Sequence, residues 1–207
     1  MSPRWVNVGS GPQMIQGFES LDDSLFLRLA ALGPLTRILP RAYREPIGRY
    51  ARARAEGLVR RHDCTKPLPY ALGTVDHILC SHMLEHVPAS TMEHMVADFH
   101  RVLRPGGTLH VIVPHFRRFT EKYVRGEMSA DDYQDWLLFH PRADKSRRRK
   151  VAELTGNFGL SHLWQYDAKS GRERLEAAGF TVSEEMRTPS TGYRSDDESS
   201  LHLYGIA

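Results

Sequence analysis

The chain has 207 residues, of which 41% are hydrophobic and 26% charged, which fits one domain with a substantial core and excludes a disordered chain. A net charge of +3 is too small to predict a nucleic-acid partner. The two cysteines, Cys64 and Cys80, exclude both a disulfide framework and a cysteine metal cluster.

The first predicted element is a short buried strand over residues 5–8, which ends at the turn Gly9-Ser10-Gly11. A second short strand over residues 18–21 ends beside Asp22. In a dinucleotide-binding fold such a turn leads into a full helix, and the acidic residue follows about 20 positions on. The connection here is too short for a three-turn helix. We therefore predict that the first helix is absent or reduced to a turn.

Residues 25–61 mix leucines with arginines and contain Pro34, Pro40 and Pro46. This pattern predicts short amphipathic helices that are broken at the prolines. Two explanations stay open for the part at about residues 25–54. It is either a set of helices packed on the sheet with the arginines in water, or a basic lid-like insertion. The arginines of a lid would meet phosphate or carboxylate on a ligand, or anionic lipid.

Two more strands are predicted in the middle of the chain. One lies within residues 57–70 and ends near Asp63, and the next covers residues 75–80 and ends at Ser81 and His82. Turn-forming residues surround both strands.

The helix with the strongest signals is predicted at about residues 91–103. Ser90, with Glu93 three positions on, predicts a capping box, and Pro105-Gly106-Gly107 ends the helix. One face is apolar, so we expect this helix to pack on the sheet. That face consists of Met92, Met95, Val96, Phe99, Val102 and Leu103.

The rest of the chain continues the alternation of strands and helices. A fifth strand is predicted over residues 108–114, a late helix over 167–180, and two final strands over 181–186 and 200–207. A basic run at 142–150 is interpreted as a solvated face. The alternation predicts an open, mostly parallel α/β sheet in a single domain spanning residues 1–207.

The ends of the predicted strands should line a ligand site, because ligands bind outside the carboxyl ends of the strands in an open parallel sheet. Gly9 and Gly11 permit a close approach between backbone and ligand, and Asp22 is placed to bind ribose hydroxyls. The other residues of this set, which suits an adenosine group, are Ser10, Asp63, Ser81 and His82.

Two of these assignments have alternatives. Asp63 could simply cap a loop. The neighbour of Asp22, Asp23, could bind the ribose in its place or cap the helix that follows. The register of the strand favours Asp22.

Residues 76–88, DHILCSHMLEHVP, and 99–114, FHRVLRPGGTLHVIVP, resemble the class I S-adenosylmethionine-dependent methyltransferases, specifically their small type 11-like bacterial group. Residues 62–70, HDCTKPLPY, and 162–167, HLWQYD, resemble further segments of that group, so the resemblance extends over most of the chain. It implies a Rossmann-like sheet in the order 3-2-1-4-5-7-6, with strand seven antiparallel and helices on both faces. It also implies S-adenosylmethionine as the cofactor.

The short connection after the first strand supports this cofactor independently of the resemblance. The anionic pyrophosphate of NAD is held by a helix N-terminus, whereas a positively charged sulfonium needs none. By resemblance, the cofactor would contact Gly9 and Gly11 at its amino-acid end, Asp22 at its ribose, Asp63 near its adenine amine, and Ser81 with His82 beside its sulfonium.

Methyl transfer to a hydroxyl is helped by a general base, and histidine is suited to this task near neutral pH. The candidates are His82, His86 and His115. His115 is the first choice because the tip of the fifth strand faces the acceptor side. It follows Pro114, where the group usually carries aspartate, so this chain departs from the pattern here.

No metal site is predicted. Residues 82–86, HMLEH, differ from the H-E-x-x-H zinc pattern because the glutamate stands beside the second histidine. Leu84 and Glu85 are expected to be architectural, with Glu85 orienting backbone amides or the amino end of the cofactor.

The combined expectation is an S-adenosylmethionine-dependent methyltransferase that acts on an oxygen of a small molecule or a saccharide. The alternatives are N-methylation of a small amine and a cofactor-binding module that has lost turnover. The start of the chain leaves no room for a signal peptide, and no apolar run approaches the about 20 residues of a membrane span. We expect a cytoplasmic protein without nucleic-acid partner or stable membrane insertion, and we leave peripheral membrane contact and the oligomeric state open.

Overall fold

The computed structural model describes residues 3–11, 14–39, 41–137, 162–183 and 199–207. The strands are β1 Trp5–Val8, β2 Glu19–Asp22, β3 Val59–Arg61, β4 Val75–Ser81, β5 Leu103–Pro114, β6 Thr181–Ser183 and β7 Ser200–Ile206. The helices are α1 Leu25–Ala30, α2 Arg41–Ala55, α3 Ala89–Val102, α4 Phe116–Val124, α5 Ala130–Leu137 and α6 Ala168–Ala177, with 3₁₀ turns at Gly33–Ile38 and Leu84–His86.

One sheet contains all seven of these strands, in the order β3-β2-β1-β4-β5-β7-β6. β7 runs antiparallel to β5 and β6, and the remaining pairs are parallel. The fold is therefore Rossmann-like, and the strand order that the resemblance implied is confirmed.

The central strands are buried on both faces, as expected for parallel strands that are covered by helices. On one face, residues such as Ile78 of β4 and Val111 of β5 pack in the main core together with α3. On the other face, Leu79 and Ile112 pack against Phe18. Burial of both faces fixes the register of each strand.

Helix α3 has the predicted apolar face, because Met92, Met95, Val96, Phe99 and Val102 are buried. The predicted capping box is wrong. The helix begins at Ala89, and Pro88 occupies the N-cap position without a side-chain hydrogen bond. Ser90 lies inside the first turn, where its carbonyl oxygen accepts a hydrogen bond from Nδ1 of His94 at 2.6 Å.

The connection between β1 and β2 contains no helix in its described residues, 9–11 and 14–18, which confirms the shortened first helix. The backbone amides of Gly9 and Ser10 both donate to the carbonyl oxygen of Leu21, at 2.9 and 3.2 Å. These two bonds hold the glycine turn against the end of β2.

The segment after β2 contains the short helix α1, a 3₁₀ turn with Pro34 in its first turn, and the 15-residue helix α2. Pro46 lies inside α2, so the predicted break at Pro46 is wrong. These helices have a core of their own, which includes Leu27, Ile47 and Tyr50. The outer face of α2 exposes Arg49, Arg52 and Arg54. This segment is a packed helical layer with a basic outer surface.

Helices α4 and α5 were not predicted from the sequence. The apolar residues of α4 recur at helical spacing, at Phe116, Phe119, Tyr123 and Val124, so a signal for α4 was present in the sequence. The first turn of α5 is acidic. The basic run at 142–150 and the last residues of the predicted strand at 181–186 lie outside the described residues. Within the described part of the chain, no helix is long and apolar enough to cross a bilayer.

Candidate active site

The predicted cofactor residues lie at one edge of the sheet. Val8 of β1 pairs with Leu21 of β2 on one side and with Cys80 of β4 on the other. The residues that follow these positions in the chain are Gly9, Asp22 and Ser81. The register of the three strands therefore brings these predicted residues together.

The glycine turn needs its glycines for two different reasons. Gly9 and Gly11 have φ values of 67° and 56°, in the left-handed region that favours glycine. A Cβ at Gly9 would overlap the thioether of Met83, whereas a Cβ at Gly11 would meet nothing within 4 Å. The side of the turn near Gly11 is thus open, and the side near Gly9 is filled by Met83.

The carboxylate of Asp22 is buried, with 7% of the residue exposed. Its Oδ1 accepts a hydrogen bond from the amide of Ser24 at 2.6 Å, and its Oδ2 accepts one from the hydroxyl of Tyr50 at 2.7 Å. Burial, and then the negative charge of Asp22, raise the pKa of Tyr50 well above its usual value. Helix α2 is thereby bonded directly to the end of β2.

The sequence left an alternative open for Asp23 and for Asp63. Asp23 does not cap α1, because Ser24 is the N-cap residue and accepts a hydrogen bond from the amide of Leu27. Asp23 forms ion pairs with Arg28 and Arg61. Burial opposes ionisation of Asp23, but the hydrogen bonds from the two arginines outweigh it and lower the pKa of the carboxyl. Asp63 closes a turn, because its Oδ1 accepts hydrogen bonds from the amide and the hydroxyl of Thr65 at 3.0 and 2.6 Å.

His82 follows the end of β4 in an unusual backbone conformation. Its φ is 50°, the one positive value among the described residues other than glycine. Its amide donates to the carbonyl oxygen of Ile112 at 2.8 Å. In the side chain, Nδ1 lies 3.2 Å from Oε1 of Glu85, and Nε2 lies 3.3 Å from Oγ of Ser200.

Glu85 is fully buried and stands between three histidines. Its Oε1 lies 3.2 Å from Nδ1 of His82 and 3.8 Å from Nε2 of His86. The ring of His86 contacts the ring of His162 edge to face, with centroids 5.0 Å apart. Burial lowers the pKa of His162, although the charge of Glu85 acts in the opposite direction. The residues of HMLEH thus meet a histidine that comes much later in the chain.

His115 is the N-cap residue of helix α4. Its Nδ1 accepts a hydrogen bond from the amide of Arg118 at 3.3 Å, and its backbone pairs with Tyr166. A neutral ring that accepts at Nδ1 carries its proton on Nε2, so it has no second lone pair with which to take a proton. This geometry gives His115 a structural task that the sequence did not predict.

Two further histidines belong to the interior of the sheet. Burial lowers the pKa of His77 to about 4 and that of His110 to about 3, so both rings are neutral at pH 7. Nδ1 of His77 lies 2.7 Å from Oγ1 of Thr108, and Nε2 of His110 lies 3.0 Å from Nδ1 of His202.

The sequence reasoning missed four residues of this edge: Tyr50, Met83, His162 and Ser200. A signal existed for His162, which begins the HLWQYD segment, but nothing local connected it with Glu85. Tyr50, Met83 and Ser200 reach the site through tertiary contacts, and no spacing in the sequence marks them.

The comparisons with known proteins agree with this geometry. A family model described as a methyltransferase domain matches residues 40–111. A protein of Haloferax volcanii, solved in complex with the Trm112 methyltransferase activator, is 15% identical, with a TM-score of 0.54 over 99% of this chain and 82% of that chain. A comparison with curated proteins found no match.

Two further solved structures are S-adenosylmethionine-dependent methyltransferases. The one from Mesorhizobium loti is 17% identical, with a TM-score of 0.52 over 99% of this chain and 90% of that chain. The one from Thermotoga maritima is 14% identical, with a TM-score of 0.50 over 100% of this chain and 83% of that chain. At these identities the structures show the fold alone. Taken together, the strand order and the methyltransferase-domain match over residues 40–111 make the chain similar to the class I S-adenosylmethionine-dependent methyltransferases, whose fold it shares.

Proposed function

We propose that this protein is an S-adenosylmethionine-dependent methyltransferase that methylates an oxygen of a small molecule or a saccharide. The glycine turn and Asp22 would hold the cofactor, and the histidines after β4 would receive the acceptor. The reaction would take place in the cytoplasm, since both cysteines are free and buried, as is usual for a protein of a reducing compartment.

The described residues fit S-adenosylmethionine at two places. The turn is open beside Gly11. Each carboxylate oxygen of Asp22 accepts one hydrogen bond from the chain and keeps a second lone pair for a ribose hydroxyl. When bound, the cofactor supplies an activated methyl group on a positively charged sulfur. Met83, which fills the space beside Gly9, would border the cofactor.

The contact between Glu85 and His82 is the observation that favours oxygen as the atom that receives the methyl group. If Nδ1 of His82 donates its proton to Oε1 of Glu85 across 3.2 Å, Nε2 is left as the acceptor. The hydroxyl of Ser200 lies 3.3 Å from Nε2 and, unlike the backbone amide that bonds His115, can rotate away when an acceptor hydroxyl arrives. The buried carboxylate would also stabilise the imidazolium that forms when Nε2 takes a proton. A hydroxyl acceptor gains from such a base, whereas an amine that arrives neutral does not.

A panel of acceptors tests this proposal. Purified enzyme is incubated with isotopically methyl-labelled S-adenosylmethionine and matched pairs of acceptors that carry either a hydroxyl or an amine on the same skeleton. Mass spectrometry should find the label on oxygen in at least one pair. Label transfer confined to amines would overturn the O-methylation proposal and favour N-methylation.

A further inference from the structure

We propose that Glu85, His86 and His162 bind a divalent transition-metal cation at the acceptor end of β4. One potential ligand atom from each of these residues lies within 4.8 Å of the other two. The site would thus combine one carboxylate oxygen with two imidazole nitrogens, although the sequence alone predicted no metal site.

The burial of Glu85 provides the strongest argument. The residue is 0% exposed, and its Oε2 has no hydrogen-bond partner among the described residues. An unpaired carboxylate oxygen in the interior costs several kcal/mol unless a charge or a donor compensates for it. A cation held between this carboxylate and the two imidazoles would remove that cost.

The backbone holds the three residues together. The amides of Leu163 and Trp164 donate to the carbonyl oxygen of Glu85 at 2.7 and 3.2 Å. The hydroxyl of Tyr166 donates to the carbonyl oxygen of Leu84 at 3.3 Å, across 82 positions of the chain. These bonds bring the segment of His162 to the 3₁₀ turn, so the meeting of the ligands is built into the fold.

A neighbouring amide can orient His162 for metal binding. Nε2 of Gln165 lies 3.3 Å from Nδ1 of His162, and Oε1 of Gln165 has no partner among the described residues. Turning this amide over would let Oε1 accept the proton of Nδ1, at the cost of placing Oε1 opposite the carbonyl oxygen of Leu137, 3.3 Å away. Nε2 of His162 would then be free to bind a metal, and metal-binding histidines commonly have such a partner.

The donor set indicates the kind of cation. Two imidazoles and one carboxylate suit Zn²⁺, Fe²⁺, Co²⁺ or Mn²⁺ better than Mg²⁺ or Ca²⁺, which prefer oxygen ligands. Three protein ligands leave coordination positions open, as in catalytic rather than structural sites. If the proposed O-methylation is correct, the cation would bind the acceptor hydroxyl and lower its pKa, leaving His82 to take the proton.

Binding is measured first, independently of methyl transfer. The full-length protein, without an affinity tag, is freed of metal with a chelator and titrated with Zn²⁺, Mn²⁺ and Mg²⁺ by calorimetry. We expect one equivalent of Zn²⁺ or Mn²⁺ to bind, at least about tenfold tighter than Mg²⁺, and to raise the melting temperature. Absence of a saturable site for any transition metal would overturn the proposal.

Variants then locate the site. His162→Ala and Glu85→Gln should each weaken binding at least about tenfold, while His94→Ala, which removes an exposed histidine of α3, should leave it unchanged. S-adenosylhomocysteine affinity confirms that each variant is folded. Unchanged metal affinity in folded His162→Ala would overturn the assignment. Metal binding without O-methylation would contradict only the proposed function. Undiminished turnover of the metal-free enzyme would contradict only the role of the cation in the reaction.

Discussion

The two halves of the proposed ligand-binding edge differ in how their charged groups are satisfied. At the ends of β2 and β3, the carboxylates of Asp22 and Asp63 are hydrogen-bonded by their own neighbourhood, through Tyr50, Ser24 and Thr65. Beyond β4, the carboxylate of Glu85 is fully buried with one oxygen unpartnered among the described residues, and histidines surround it.

This difference suggests a division of labour. A polar group that is satisfied by its own chain keeps the shape of a loop whether or not a ligand is present. A buried group that lacks a partner is better suited to exchange protons or bind a ligand. The β1–β2 side would therefore be a preformed cofactor seat, and the β4 side would contain the groups that take part in methyl transfer.

The largest effect should come from the β4 side. We expect His82→Ala to lower kcat at least about a hundredfold, because it removes the proposed base, while S-adenosylhomocysteine affinity stays within about threefold. His115→Ala should cost less than about tenfold, since that ring caps α4. Steady-state kinetics and calorimetry measure both quantities.

The opposite ranking would restore the sequence-based preference for His115. If His82→Ala, His86→Ala and His115→Ala all kept near-normal kcat, no histidine of this edge would act as a base. The β4 side would then contribute only positioning of the acceptor.

The next largest effect concerns the cofactor seat. Asp22→Asn should weaken S-adenosylhomocysteine binding about tenfold or more, as expected for loss of a charge-assisted hydrogen bond of roughly 1.5 to 3 kcal/mol. Asp23→Asn should change it less than about twofold, because Asp23 is occupied by Arg28 and Arg61. Calorimetry at fixed salt compares the two variants.

Tyr50→Phe serves as the control for Asp22. It removes the hydroxyl that bonds Oδ2 but leaves the carboxylate in place. Retained affinity in Tyr50→Phe, together with loss in Asp22→Asn, would assign the effect to the carboxylate. Equal affinity of Asp22→Asn and wild type would show that the register assignment from the sequence was wrong.

A smaller effect should separate the two glycines of the turn. Gly9→Val should lower the melting temperature more than Gly11→Val, because both positions have positive φ but only a Cβ at Gly9 overlaps Met83. Gly11→Val should instead weaken cofactor binding, because its side chain would enter the open side of the turn. Thermal unfolding accompanies the binding measurement, so that loss of fold is distinguished from loss of the site. If the two variants lost the same thermal stability, the side chain of Met83 would be able to move aside without destabilising the fold.

The sequence predicted the parts of the site that depend on local order. Strand ends, the glycine turn and Asp22 follow from short apolar runs that stop at glycine or aspartate, and the sheet order followed from the resemblance. The meeting of Glu85 with His162 depends on backbone bonds from Leu163 and Trp164, which no periodicity encodes. The same holds for the bond between Tyr50 and Asp22, which spans 28 positions.

The smallest effect concerns the helical layer that is bonded to Asp22 through Tyr50. We propose that this layer, at about residues 25–54, acts as a lid whose basic outer face meets an anionic acceptor. Tyr50 faces inward to Asp22, while Arg49, Arg52 and Arg54 are exposed, and Arg49 pairs with Glu45 at 2.6 Å.

Reversing Arg49, Arg52 and Arg54 to glutamate should raise the acceptor KM about threefold to tenfold, more at low salt, with cofactor affinity unchanged. Reversal of Arg4 and Arg104, which pair with Glu19 and Asp76 near the opposite edge of the sheet, is a control with one reversal fewer and should leave KM unchanged. If both variants and the wild type have equal KM, the layer serves only to position Tyr50 and Asp22. If the wild-type protein binds anionic vesicles, the exposed arginines bind a membrane surface instead.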